Sequence, residues 1–349
     1  MREVFSGQYV AAATREYRGR KGVVVKVENP ESKVETVSPQ VLNEFHQTLD
    51  AVGAEGDAGF CIFHGGWGKI HAGAELSLFH EDIDSQRVHD YLWAGARLDL
   101  KIKELSRAKQ TVSIMHGDRY GGSVEWPLMA QYCVCTGETS IRFSEVNIGL
   151  IPGWNGILNL MLRSGSQNAF YLAATGDKIH APEMLAAGLV SGIFPQASIL
   201  ENVLDMIVEG TLKPRDRVRE LVDPEKLEEA IKSRSDAKRY RSLLEDITRH
   251  QESLGDPKSP ETKSSLNKLV QRRLKDLGRP IAPRALAAVS QLVRENEPID
   301  WENKEGMQSM TERETQWCFD LMHTQDRKTG VRSILTDNPL ERIPIFAGC

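Results

Sequence analysis

Short apolar runs recur through the first half of the chain at strand length. GVVVKVE (22–28), GFCIFH (59–64), TVSIMH (111–116), YCVC (132–135) and LVSGIF (189–194) are β-rich and predict strands. Between them the period changes. SPQVLNEFHQTLDAV (38–52) opens with a serine cap and a proline, and sets Val41, Leu42, Phe45, Leu49 and Val52 on one helical face. QRVHDYLWAGARLDLKIKELSRA (86–108) repeats that spacing with Val88, Tyr91, Leu92, Leu98, Ile102 and Leu105. Strand and helix alternating over 1–195 predict an α/β core with helices covering a sheet.

The pattern then loosens. Across 196–280, segments such as DPEKLEEAIKSRSDAKRYRSLLEDITRHQESL are highly charged with sparse apolar positions, and GDPKSPETKSS reads as a loop. Both charge signs are interspersed, which predicts a solvated helical layer with no cluster able to build a site. From 281 to 349 helices with better apolar stripes return.

Composition narrows the function classes. A length of 349 residues allows one large domain or two smaller ones. A formal net charge of −5 argues against nucleic acid or an anionic membrane as partner. No apolar run approaches the roughly 18 residues of a membrane span, and MREVFSGQYV lacks a signal-peptide core, so a cytoplasmic protein is expected. The five cysteines are scattered, and CVC has the wrong spacing for a zinc knuckle; buried or free thiols are expected, with no metal. The chain contains no G-x-S-x-G, P-loop, H-E-x-x-H or strand-linked G-x-G-x-x-G motif.

The chemistry is concentrated in two small-residue turns. In SIMHGDRYGGSVEW a buried strand ends near His116, and Gly121–Gly122 allow a close backbone approach before a helix begins. Pro127 fits only the first turn of such a helix. Free N–H groups at that helix start favour negative charge. GGWGKIHAGAEL (65–76) is a second such place, where a strand gives way to Ala72-Gly73-Ala74. Two such turns can supply two N–H donors to one oxyanion.

The ordered series HAGAEL, HGDRYGGSVEW, SEVNIGLIPGWNGI and ATGDKIHAPEMLAAGLVSGIFP resembles the crotonase (enoyl-CoA hydratase/isomerase) superfamily. Its members run AGADL, NGxAxGGGxEL, PExxLGxxPGxGGT and TGxxixAxxAxxxGLVxxV. LMHTQDRKTGVRSIL is similar to the family's terminal pattern FxTxDxxEGxxAF. The resemblance implies a spiral of ββα units over 1–195 carrying the active site. It leaves 196–280 as a helical insertion and 281–349 as a C-terminal helical region for oligomerisation or pocket cover.

By motif position, the resemblance implies an oxyanion hole made by the backbone N–H groups of Ala72 and Gly122. Gly73, Ala74, Glu75, Gly121 and Trp154 would contact substrate. The hydratases' two glutamates correspond to Glu125 and Glu145, which implies water addition: one carboxyl removes a proton from water and the other donates to carbon. No metal or redox cofactor is implied beyond the CoA of the acyl-CoA substrate, and a homotrimer or homohexamer is expected.

Departures from the family pattern bear on the substrate. Ser123 replaces the usual third glycine, and Asp118, Arg119 and Tyr120 occupy the small positions before it. Ser144 replaces the proline before Glu145, and Trp154 and Asn155 stand where small residues are usual. Trp126 and Trp154 fit either a pocket for a ring or core packing. His71 and His116 precede the two turns and read as structural, with substrate contact left open. The insertion, with a late WENKE stretch (Trp301 to Glu305), resembles 6-oxocyclohex-1-ene-1-carbonyl-CoA hydrolases. Ring opening is therefore the alternative activity, and a non-catalytic acyl-CoA-fold binding protein is the alternative of another class.

Overall fold

Residues that alternate inward and outward build two sheets, and the chain supplies them in turn. The structure, a computed structural model, describes residues 1–80, 83–212, 280–295, 303–338, 342 and 344–348. Most of the expected insertion (213–279), with Trp301 and Glu302 of the WENKE stretch, lies outside the described residues. The strands are β1 (Glu3–Ser6), β2 (Val10–Tyr17), β3 (Arg20–Val27), β4 (Val34–Val37), β5 (Phe60–Gly65) and β6 (Ile70–Ala74), then β7 (Gln110–Met115), β8 (Asp118–Tyr120), β9 (Tyr132–Thr136), β10 (Ser140–Arg142), β11 (Lys178–His180) and β12 (Ile193–Phe194).

One sheet runs β1-β2-β3-β5-β7-β9-β12 and the other β11-β10-β8-β6-β4. The pairs β5/β6, β7/β8 and β9/β10 each place one strand in either sheet, so the chain advances as a spiral. Pairing is parallel from β3 through β5, β7 and β9 to β12, and from β4 through β6 and β8 to β10. The α/β class and the spiral expected from the motifs are observed.

The described chain clusters into two compact units. The first comprises 1–74, 93–142 and, as far as described, 178–212, and holds every strand named above. Its helix α1 (Pro39–Ala54) starts where the Ser38 hydroxyl accepts the Val41 N–H at 3.2 Å, and it buries Val41, Leu42, Phe45, Leu49 and Val52, the stripe read from the sequence. Helix α2 (Ser85–Ala108) enters this unit at Trp93. Two short helices follow, α3 (Gly122–Leu128) and α5 (Ala181–Ala186), with α4 (Gly156–Thr175) between them in the second unit.

Helix α6 (Ile199–Glu209) completes the first unit. Residues 199–212 fall in the stretch read as an accessory layer, yet Ile199, Val203, Leu204, Ile207 and Leu212 pack against Phe60, Ile62, Val112, Ile114, Tyr132 and Val134. They cover one face of the larger sheet, and that apolar burial makes them core.

The second unit takes 75–92, 143–177 and the described C-terminal residues. Its C-terminal helices are α7 (Pro283–Glu295), α8 (Lys304–Met322) and α9 (Gln325–Leu335). The buried Glu314 carboxylate of α8 accepts the Ile157 and Leu158 N–H groups at 3.2 and 3.1 Å, placing negative charge at the start of α4. Asn155, the departure from the family's small residue, caps that helix with φ of 63°, a left-handed conformation that asparagine tolerates. Among the described residues, no helix is long and apolar enough to cross a membrane.

If α6 is core, Leu204→Ala should lower the unfolding free energy by about 2–5 kcal/mol in denaturant titration. A loss under about 1 kcal/mol, within the range of surface substitutions, would make the helix a dispensable cover.

Candidate active site

Two main-chain segments meet in the first unit. β6 lies between β4 and β8, and its register against β4 slips: Glu35 faces His71 and Thr36 faces Gly73, so Ala72 is passed over. The stretch read as a turn at 72–74 is thus the end of a strand. Gly73 has φ of +85°, and a Cβ built there would lie 2.4 Å from the Tyr120 carbonyl oxygen and 3.0 Å from the Gly122 nitrogen. Only glycine permits this approach. It brings Ala72 beside the first residue of α3, whose N–H is among those that α-helix geometry leaves unpaired.

Glu125 follows in the first turn of α3 and is 3% exposed. Its backbone N–H donates to the Gly121 carbonyl at 3.2 Å. The structure therefore brings together Ala72, Gly73, Gly121, Gly122 and Glu125, with Ala74 at the end of β6.

The other candidates belong to the second unit. Glu145 opens a 3-10 helix, Glu145–Ile148, where its carbonyl accepts the Leu150 N–H at 2.9 Å; both carboxylate oxygens are shielded from solvent. That helix packs on α9 at Gly330, where a Cβ would fall 2.3 Å from the Ile148 carbonyl oxygen. Glu75 precedes a second short helix, its N–H donating to the Tyr91 hydroxyl at 3.3 Å. Trp154 is 2% exposed and meets Tyr91 edge-on, ring centroids 5.3 Å apart.

Buried polar side chains back the two N–H segments. His71 Nδ1 lies 2.8 Å from Glu35 Oε2, and His71 Nε2 lies 3.5 Å from Arg119 Nη2. Arg119 Nη1 donates to the Ser123 carbonyl at 2.9 Å, and its guanidinium lies 5.4 Å from the Trp126 ring centre. The Ser123 hydroxyl lies 2.6 Å from the His71 carbonyl and 2.8 Å from the Tyr120 carbonyl, which share its one proton, and it accepts the Tyr120 N–H at 3.1 Å. His116 stacks on Trp67 at 4.0 Å and donates through Nε2 to the Gly65 carbonyl at 3.3 Å. Both histidines are thus occupied by protein partners. A recess beside them is lined by Val27, Glu35, Val41, His71, Ser123 and Trp126.

Burial, and then the Arg119 charge, push both imidazoles down to about 2, so they are neutral. Burial lowers Arg119 to about 10, still well above neutrality. The Glu35 carboxyl is pushed up by burial, against the opposing pull of the Asn29 N–H, Lys69 and Arg119.

Two features escape the sequence pattern. Glu35 belongs to no motif; its signal is a charge at an inward position of the alternating strand VETV. Pro127 lies in the last turn of α3, not the first. It is tolerated because the carbonyl it cannot serve, that of Ser123 four residues earlier, is taken by Arg119.

Neutral buried histidines have a consequence for acid stability. An unfolded histidine titrates near 6.5, so below that pH the unfolded chain binds two protons that the folded chain refuses. Their contribution is complete above about pH 6.5 and is lost progressively toward pH 2, at about 1.4 kcal/mol per pH unit for each ring. His116→Gln should make the fall of unfolding free energy between about pH 6 and 4.5 shallower by roughly one such proton. Parallel wild-type and variant slopes would contradict a neutral His116.

Comparison with known proteins agrees with this architecture. The family model described as enoyl-CoA hydratase/isomerase matches residues 24–346. An enoyl-CoA hydratase from Rhodobacter sphaeroides 2.4.1 is similar with a TM-score of 0.66 at 19% identity, covering 96% of this chain and 92% of that one. A carnitinyl-CoA dehydratase from Mycobacterium thermoresistibile gives 0.64 at 17% identity, covering 93% and 89%. An enoyl-CoA hydratase from Bacillus halodurans gives 0.58 at 14% identity, covering 92% and 99%. At these identities the structural likeness is one of fold, and the family match spans nearly the whole chain. The chain belongs to the enoyl-CoA hydratase/isomerase family, within the crotonase superfamily.

Proposed function

We propose that the protein adds water across the 2,3 double bond of an enoyl-CoA thioester. The observation that carries this reading is the close approach of β6 to the start of α3, with the buried Glu125 three residues beyond Gly122. The backbone N–H groups of Ala72 and Gly122 would receive the thioester oxygen. Donors held in place by the main chain stabilise charge without reorganising as it develops.

The steps follow from that placement. Glu125 takes a proton from water as the water oxygen bonds to the β-carbon. The double-bond electrons move to the thioester oxygen, giving an enolate. The Glu145 carboxyl then donates a proton to the α-carbon as the carbonyl re-forms. Glu145 enters by its motif position. Gly73, Ala74, Glu75, Gly121 and Trp154 are assigned to substrate contact on the same ground. Water addition leaves the net oxidation state of the substrate unchanged, so the reading calls for no redox cofactor, and CoA enters only as part of the substrate.

We place the protein in the cytoplasm as a homotrimer or homohexamer built through its C-terminal helices. The buried thiols of Cys61, Cys133, Cys135 and Cys318 suit a reducing compartment. A strictly monomeric mass in sedimentation at micromolar concentration would contradict the assembly.

Purified protein should convert a straight 2-enoyl-CoA to a product heavier by one water with its carbon skeleton intact, read by mass spectrometry. Glu125→Gln and Glu145→Gln should each retain acyl-CoA binding and lose about 10²–10⁴-fold in turnover. A cyclic oxo-enoyl-CoA gaining two waters, with straight chains untouched, would instead establish ring hydrolysis. Unchanged turnover in both variants would contradict the roles given to the glutamates. Absence of any turnover would leave a binding protein.

A further inference from the structure

The side chains behind the two N–H donors form one connected set, and two of its members are departures. Ser123 stands where the family pattern has a third glycine, and Arg119 where it has a small residue. We infer that Glu35, His71, Arg119 and Ser123 are positioning residues, a buried relay that fixes the Ala72 and Gly122 N–H groups at the separation one oxyanion requires. The inference rests on the thioester reading above and names the side chains that hold its site.

Donor and acceptor roles follow for the arginine, the imidazole and the carboxylate. Arginine cannot accept, so His71 Nε2 accepts from Arg119 and the imidazole proton resides on Nδ1. Glu35 Oε2 must then accept from His71, at 2.8 Å, while its Oε1 takes the Asn29 N–H at 3.2 Å. At the other end, Arg119 Nη1 holds the Ser123 carbonyl that Pro127 leaves without a helix partner. The Nη groups of the buried guanidinium meet a carbonyl and an imidazole, and its plane an aromatic face, with the Glu35 carboxyl behind the imidazole; its Nε–H has no hydrogen-bond partner among the described residues.

Ser123 closes the loop. Of the two carbonyls its proton can reach, His71 at 2.6 Å and Tyr120 at 2.8 Å, that of His71 is the nearer, and it belongs to the same peptide plane as the Ala72 N–H. Holding the oxygen sets the direction of the N–H on the other side of the plane. It also polarises the peptide, which strengthens its N–H as a donor. Ser123 is bonded directly to Gly122, the residue carrying the other donor. One side chain therefore ties the two donor segments together, and Arg119 anchors that side chain's own backbone.

The surroundings make room for this set and for nothing larger. A Cβ at Gly65 would lie 2.7 Å from His71 Cε1 and 3.1 Å from Arg119 Nη2. A Cβ at Gly66 would lie 2.6 Å from Glu28 Oε1 and 2.7 Å from Glu35 Oε1. The paired glycines before β6 are the space that the relay occupies.

The test uses the intact protein and cinnamoyl-CoA carrying a carbon-13 thioester carbonyl. Difference infrared spectroscopy reads how far the carbonyl stretch falls on binding, and steady-state kinetics with a straight 2-enoyl-CoA separate kcat from KM. Ser123→Ala removes the clamp, and Glu35→Leu, of similar size, breaks the relay at its far end by removing both acceptor oxygens. Using both keeps the test decisive if one fails to fold. Each folded variant should bind CoA within about twofold of wild type, lose part of the carbonyl shift, and lose about ten- to a hundredfold in kcat, less than the loss of a whole donor. The double variant should be little worse than the worse single one, since the residues act as a unit. Folded variants with the full carbonyl shift and kcat within twofold of wild type would overturn the relay and leave the function standing. A wild type that shifts the carbonyl of no thioester and hydrates none would overturn the function and the relay with it.

Discussion

At Gly73 the chain passes so near Tyr120 and Gly122 that a single added carbon would fall 2.4 Å from one backbone atom and 3.0 Å from another. Much of the first unit can be understood as what makes this approach possible. Two successive strand pairs, β5/β6 and β7/β8, deliver one strand each to the smaller sheet, where β6 and β8 lie side by side. The register slip against β4 carries Ala72 past its neighbour, so one residue leaves the regular ladder at the point where α3 begins. A strand end and a helix start are thus brought close together, with Gly73 at the contact.

Such a junction buries polar groups, and burial without partners is costly: breaking one buried charge pair typically destabilises by about 3–5 kcal/mol. The structure answers with a series of donors and acceptors that leaves the Arg119 Nε–H unmatched among the described residues. Glu35 accepts from His71, His71 accepts from Arg119, and Arg119 donates to the carbonyl that Pro127 abandons. The second unit solves a similar problem with fewer parts. There the Glu314 carboxylate is buried, and two N–H groups of α4 meet it. In both units an unpaired end of a short-range element is completed by a charged side chain that is distant in sequence or outside the helix.

How much of this was legible in the sequence depended on whether a residue's role was set locally. The stripe of α1, the runs of β3, β5, β7 and β9, and the order of the family motifs are all periodic or contiguous, and each is present where it was read. The strands of the smaller sheet, three to five residues long, carry too few residues to show a period. They are strands because of what pairs with them. LVSGIF narrows to Ile193–Phe194, since the Leu189 and Val190 N–H groups turn back to the Met184 carbonyl and close the preceding helix. α6 looked like the beginning of a charged layer because its apolar stripe precedes a long charged segment. At the candidate site, Ala72, Gly122 and Glu125 are named by motif position alone. Arg119 and Ser123 could be seen only as departures, and Glu35 only as an oddly placed charge, because their partners lie four to 52 residues away along the chain.

The central claim is that the N–H groups of Ala72 and Gly122 receive the same thioester oxygen. Amide NMR of protein labelled with nitrogen-15 at alanine and glycine tests it most directly, with cinnamoyl-CoA titrated against free CoA as control. The account predicts that the Ala72 and Gly122 amide protons both move strongly downfield with the thioester and stay near their free positions with CoA alone. If the thioester binds and neither amide responds, or only one does, the shared oxyanion site is contradicted.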